Sequence, residues 1–83
     1  MRRFPQVLLN IPVARPEGLD AAEAVWDAVR RAEDALGGGG RVLVRASGTE
    51  PLVRVMVEAE EGDDAVRHAG ELADAVRASL GGR

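Results

Sequence analysis

The stretch RVLVRASGTEPLVRVMVEA, Arg41 to Ala59, decides how this chain folds. Two runs rich in valine, 41–45 and 52–59, flank a segment containing Ser47, Gly48 and Pro51, which is the pattern of a β-hairpin. Side chains alternate between the faces of a strand. Val42 and Val44 therefore share one face of the first run, with Leu43 and Arg45 on the other. In the second run Val53, Val55 and Val57 share a face, with Arg54, Met56 and Glu58 opposite. Facing residues of an antiparallel pair lie on the same side, so the valines meet only in certain registers. One that works sets Arg45 opposite Arg54, Val44 opposite Val55 and Val42 opposite Val57. The valine side is then the core, and both guanidinium groups project from the other face beside the turn 47–52.

Upstream, Gln6–Val13 is a strand candidate with Val7, Leu9, Ile11 and Val13 on one face. Pro12 cannot donate to a ladder, which predicts an edge position or a strand end. After the break at Arg15–Gly18, Asp20 and Glu23 have capping-box spacing. Ala22, Val25, Val29, Ala32 and Leu36 then recur at helical spacing, with Trp26 beside that stripe as core or as a seam to a neighbouring domain. The run Gly37–Gly40 ends this helix, one glycine taking a left-handed cap and the rest a flexible connection. It lacks the Lys-Ser/Thr of a P-loop and precedes a strand, so it does not read as a phosphate cradle.

Beyond the hairpin, Val66, Ala69, Ala73, Val76 and Leu80 mark a second helix, with Asp63 or Asp64 as its cap and His68 off the stripe, exposed. The order β-α-β-β-α predicts an α+β fold, a two-layer sandwich whose mainly antiparallel sheet carries both helices on one face. The other face is left for a partner.

With 83 residues the chain makes one domain, 1–83, with a thin, alanine-rich core. It contains no cysteine and one histidine, which excludes a disulfide framework and argues against a histidine-based zinc site or a Ser-His-Asp triad. A net charge of −3 and only two aromatics, Phe4 and Trp26, argue against a nucleic-acid binder. No apolar run approaches the roughly 20 residues that span a bilayer, so no membrane partner and a cytoplasmic location are expected. Glu61-Gly-Asp-Asp64 reads as helix capping with solvated charge rather than as a metal loop.

All eleven basic residues are arginine, and where they lie matters more than their number. Like charges directly across a hairpin repel, and an anion between them reverses that sign. The planar fork of arginine matches phosphate oxygens bidentately. Ser47 and Thr49 add hydroxyl donors, and Gly48 lets backbone N–H groups approach closely. The same spacing also suits an ordinary hairpin with solvated arginines, a stand-alone anion-sensing module, or a face that docks an acidic partner.

The wording of the turn is more specific than its spacing. RASGTEPLVRVMVEAE strongly resembles the C-terminal-domain signature of the α-D-phosphohexomutase superfamily, and within it the bacterial branch that acts on glucosamine phosphates. Phe4-Pro-Gln-Val-Leu-Leu-Asn-Ile11 resembles the Tyr-Pro-Gln-Val-Leu-Val-Asn-Val segment that opens this domain in the same family. The resemblance implies that Arg45, Ser47, Gly48, Thr49 and Arg54 grip the non-reacting phosphate of a phosphosugar, glucosamine 6-phosphate or glucosamine 1-phosphate. It also implies a phosphoserine and a magnesium ion in other domains of the parent enzyme, with no cofactor and no catalytic residue in this chain. The neighbouring branches acting on mannose or glucose phosphates carry related signatures. Ala46 departs from the more usual proline without removing a donor. The phosphoserine loop, the metal loop and the sugar loop of the family have no counterpart here, so the chain alone is expected to be inactive.

Overall fold

A computed structural model describes residues 4–81. Strand β1 (Gln6–Pro12) leads through a 3₁₀ turn (Pro16–Ala21) to helix α1 (Glu23–Leu36). A second short turn (Gly37–Gly39) opens the hairpin of β2 (Gly40–Ala46) and β3 (Leu52–Ala59), and helix α2 (Gly62–Leu80) follows. The sheet order is β1-β3-β2, antiparallel throughout, so the most apolar strand takes the centre. The hairpin register has Arg45 opposite Arg54, Val44 opposite Val55 and Val42 opposite Val57, as the alternation predicts.

Central position and one covered face explain the core. Val53, Val55 and Val57 of β3 are fully buried, with Ile11 from one neighbour and Val42 from the other beside them. Val25, Ala28, Val29 and Ala32 of α1 and Ala65, Ala69, Leu72, Ala73 and Val76 of α2 close over them. The many alanines let both helices lie close to the sheet. Pro12 ends β1, which is an edge strand. Val13 N–H donates to Pro51 O (2.9 Å) and Pro5 O accepts from Ala59 N–H (3.1 Å), so the odd-numbered residues face β3. The ring nitrogen of Pro12 therefore lies on the free edge, where a missing donor costs no ladder bond.

Both helix starts differ from the capping expected. Ala22 holds the cap position of α1 with no side-chain bond, because Asp20 is taken up in the 3₁₀ turn and Glu23 is the first helical residue. That turn drives Leu19 into the core, and the Trp26 indole N–H donates to its carbonyl (2.9 Å). A buried leucine held by a hydrogen bond outweighs a local cap. In α2 the cap position belongs to Glu61, and Asp63 and Asp64 lie in the first turn, where their charge complements the helix dipole. At the far end, Ala14 and Arg15 N–H donate to Leu80 O (3.1 Å each), tying the helix terminus to the end of β1.

Ala69, Ala73, Val76 and Leu80 of the α2 stripe read in sequence are buried, but Val66 is exposed, and Ala65, Leu72 and His68, the last only 6% exposed, are buried beside them. The contact surface follows the small residues Ala65, Ala69 and Ala73, and His68 lies on their side of the helix. Its Nδ1 is buried without a hydrogen-bond partner among the described residues, with Glu71 Oε1 at 3.4 Å. An unpaired buried polar atom costs on the order of 1–3 kcal/mol. His68→Leu is expected to raise the midpoint of chemical unfolding, corresponding to about 1 kcal/mol. A lower midpoint in a urea titration would show that the imidazole is a stabilising contact.

Candidate functional site

At the mouth of the hairpin the ladder itself aligns the two arginines. Arg45 and Arg54 form one cross-strand pair, and Ser47 N–H donates to Leu52 O (2.9 Å), which closes the loop directly beyond them. Leu52 N–H donates back to Glu50 O (2.8 Å). The bond from Val13 N–H to Pro51 O pins the far side of the loop to the end of β1. Two strands thus hold the loop, an anchoring that reading the hairpin alone misses and that the alternation through Val13 could have suggested.

Inside the loop, Ser47 Oγ accepts from the backbone N–H groups of Thr49 and Glu50, both at 3.3 Å. These two N–H groups are therefore turned toward the serine rather than toward a ligand. A hydroxyl has one donor and two acceptor positions, so the Ser47 O–H is left to donate outward.

Arg45, Ala46, Ser47, Gly48 and Arg54 line a cavity of about 220 Å³. Four of the five residues singled out in the sequence thus surround one space, joined by Ala46. Thr49 is exposed in the same loop but is not part of the lining, and neither is Glu50. A Cβ built on Gly48 meets nothing within 4 Å, and its φ is not positive. Glycine here keeps the approach open rather than satisfying a conformation.

The charge around this cavity is unbalanced. Among the described residues the arginine–carboxylate pairs are Asp27–Arg30, Asp64–Arg67 and Asp74–Arg77, all one helical turn apart. Neither Arg45 nor Arg54 has a carboxylate within ion-pair distance among those residues. Two cations are held side by side on the sheet, with a hydroxyl donor and a glycine next to them and, among the described residues, no carboxylate within ion-pair distance. This arrangement can take a small dianion.

The model of the phosphoglucomutase/phosphomannomutase C-terminal domain matches residues 8–79. The chain belongs to that domain family. Phosphoglucosamine mutase of Thiobacillus denitrificans is 53% identical over 79 residues, which cover 95% of this chain and 17% of that protein. The enzyme of the same name from Thioalkalivibrio sulfidiphilus is 58% identical over 81 residues, covering 93% and 18%. Among solved structures, Aspergillus fumigatus N-acetylphosphoglucosamine mutase in complex with GlcNAc-6P and magnesium superposes with a TM-score of 0.78 at 29% identity, over 93% of this chain and 16% of that one. The chain thus spans about a sixth of its relatives' length, and its sandwich is the hexomutase C-terminal fold. Among the described residues no three carboxylate, imidazole or thiol groups converge. No described helix is long and apolar enough to cross a membrane.

Proposed function

We propose that this chain is the phosphate-holding lid of a phosphoglucosamine mutase, the C-terminal domain of an enzyme that interconverts glucosamine 6-phosphate and glucosamine 1-phosphate. The observation that carries this reading is the uncompensated pair Arg45 and Arg54 at a cavity of about 220 Å³, in a chain 53% identical to the Thiobacillus denitrificans mutase. That volume lies below the roughly 300–1,000 Å³ of pockets that enclose a whole ligand. It suits one phosphate group with the sugar outside. Arg45 and Arg54 grip its oxygens, the Ser47 O–H and the Gly48 N–H add donors, and Thr49 contributes from the rim.

In this reading a phosphoserine of another domain donates its phosphoryl group to the sugar phosphate. The bisphosphate so formed turns round and returns its other phosphate to the serine. This domain holds whichever phosphate is not reacting, so its contacts address phosphate alone. Closing over the ligand keeps water out and the intermediate in. Magnesium, which offsets charge on the transferring phosphoryl group, belongs to another domain. A cytoplasmic enzyme of amino-sugar metabolism that feeds peptidoglycan precursors fits the same reading.

An amide NMR titration of the chain tests it. Glucosamine 6-phosphate and inorganic phosphate are expected to shift resonances within 45–54, and glucosamine none. Two arginines and a few donors correspond to an affinity of roughly millimolar to micromolar. The chain alone, with magnesium, is expected to convert no glucosamine 6-phosphate. Silence at millimolar phosphate would overturn the grip, and turnover that tracks the pure chain would overturn its status as one domain of an enzyme.

A further inference from the structure

A second cavity, of about 260 Å³, adjoins the phosphate cavity, and the two share Arg45 and Ala46. One wall is the 3₁₀ turn Pro16–Ala21, and Val44 and Trp26 stand on the other. In a 3₁₀ helix residues three apart eclipse each other, so Glu17 and Asp20 lie on one side of that turn. Both are exposed and line the cavity, and among the described residues neither has a cation within ion-pair distance. Leu19, buried in the core, anchors the turn, and its carbonyl takes up the Trp26 indole N–H (2.9 Å). The half-buried Trp26 ring therefore offers the cavity carbon surface alone. In one cavity Arg45 is joined by a second arginine, in the other by two carboxylates. That is the charge pattern of a zwitterion.

We infer that Glu17 and Asp20 form a subsite for the ammonium of glucosamine 1-phosphate, engaged while Arg45 and Arg54 hold its phosphate. The inference rests on the function proposed above and concerns the sugar rather than the phosphate. Connectivity selects the isomer. In glucosamine 1-phosphate the ammonium stands on the carbon next to the phosphorylated one, so it falls in the space adjoining the phosphate. In the 6-phosphate it lies across the ring, away from the held group. Two carboxylates and an indole ring suit an ammonium by charge and by cation–π attraction. A hydroxyl at the same carbon gains neither, and the carboxylates then act only as like charges toward the phosphate. The phosphate contacts serve both orientations of the bisphosphate, whereas this contact serves only the one with the 1-phosphate held. From that orientation the 6-phosphate returns to the serine and glucosamine 1-phosphate leaves. The contact shifts bound species alone, by its own differential affinity.

NMR titrations of the chain at low salt with the 1- and 6-phosphates of glucosamine and glucose, and with inorganic phosphate, test the subsite. Glucosamine 1-phosphate is expected to bind about fivefold more tightly than glucose 1-phosphate, the upper end for an exposed ion pair. The two 6-phosphates are expected to bind equally. In the double variant Glu17→Gln, Asp20→Asn the preference vanishes, while inorganic phosphate binds slightly more tightly because two like charges are gone. A damaged fold would weaken every ligand alike, so the opposite signs exclude a merely structural effect. Equal affinity for the two 1-phosphates, a similar preference between the 6-phosphates, or a preference that survives the double variant would each overturn the subsite. The comparison is repeated on a chimera in which this chain replaces the C-terminal segment of the Thiobacillus denitrificans enzyme, dephosphorylated so that it binds without turnover. Other domains also touch the sugar there, so the deciding quantity is the drop in preference on double substitution. No drop would mean that the ammonium lies elsewhere in the enzyme and would end the inference. If the chain binds no phosphate at all, the proposed function and the subsite fall together. Phosphate binding without preference removes the subsite alone.

Discussion

Arg54→Ala is expected to cost the chain its phosphate while leaving its melting temperature unchanged or slightly raised. The two halves of that result have separate causes. A charge-assisted hydrogen bond contributes about 1.5–3 kcal/mol, so losing one guanidinium lowers affinity about ten- to a hundredfold. Stability behaves otherwise, because Arg54 is exposed and faces Arg45 directly across the ladder. Like charges in that position destabilise by some tenths of a kcal/mol, and alanine removes the repulsion. Arg45→Ala is expected to do the same. In the chimera both variants should raise KM and also lower kcat, since the same contacts hold the ground state and the reorienting bisphosphate. Calorimetric titration with phosphate and a thermal melt of each variant decide the matter. Unchanged affinity with a melting point several degrees lower would make the arginines structural and remove the basis of the proposed site.

The fold was legible wherever alternation or helical spacing involved large side chains. Register followed from valines that could meet in few ways, and the same count set Arg45 against Arg54. It failed where small residues carry the contact. In α2 the stripe read in sequence holds at Ala69, Ala73, Val76 and Leu80, but at its start the small Ala65 is buried in place of Val66. His68 was misread for that reason, because an imidazole is polar by composition and buried by position. The caps failed for a different cause. Asp20 has the right chemistry, but Leu19 and Trp26 lock the preceding segment into a 3₁₀ turn. In the loop, residue types announced donors without saying which ones turn inward. Ser47 proves to be the organiser of the turn, and Thr49 stands outside the cavity.

The four consecutive glycines give the sharpest test of position over composition. As sequence, Gly37–Gly40 is a flexible connection. In the fold, Gly37 ends α1 at a φ of 58°, and Gly40 is already the first residue of β2, paired with Ala59. A Cβ on Gly40 would fall on the carbonyl oxygen of Glu58, with Leu36 Cδ1 at 3.2 Å and Ala59 Cα at 3.3 Å. The obstacle is backbone of the central strand, held on its other side by the bond from Ala59 N–H to Pro5 O. It has no direction in which to yield. Gly38, two residues earlier, has nothing within 4 Å of the same added atom and no positive φ. Gly40→Ala is therefore expected to cost about 3 kcal/mol, the upper end of overpacking penalties. For a domain of this size that lowers the melting temperature by about 12–24 °C. Gly38→Ala, by restricting the unfolded chain, is expected to stabilise by about 0.4–1 kcal/mol. Thermal melts of the two variants side by side check both, and equal melting points would mean that β2 does not start against Glu58 and Ala59.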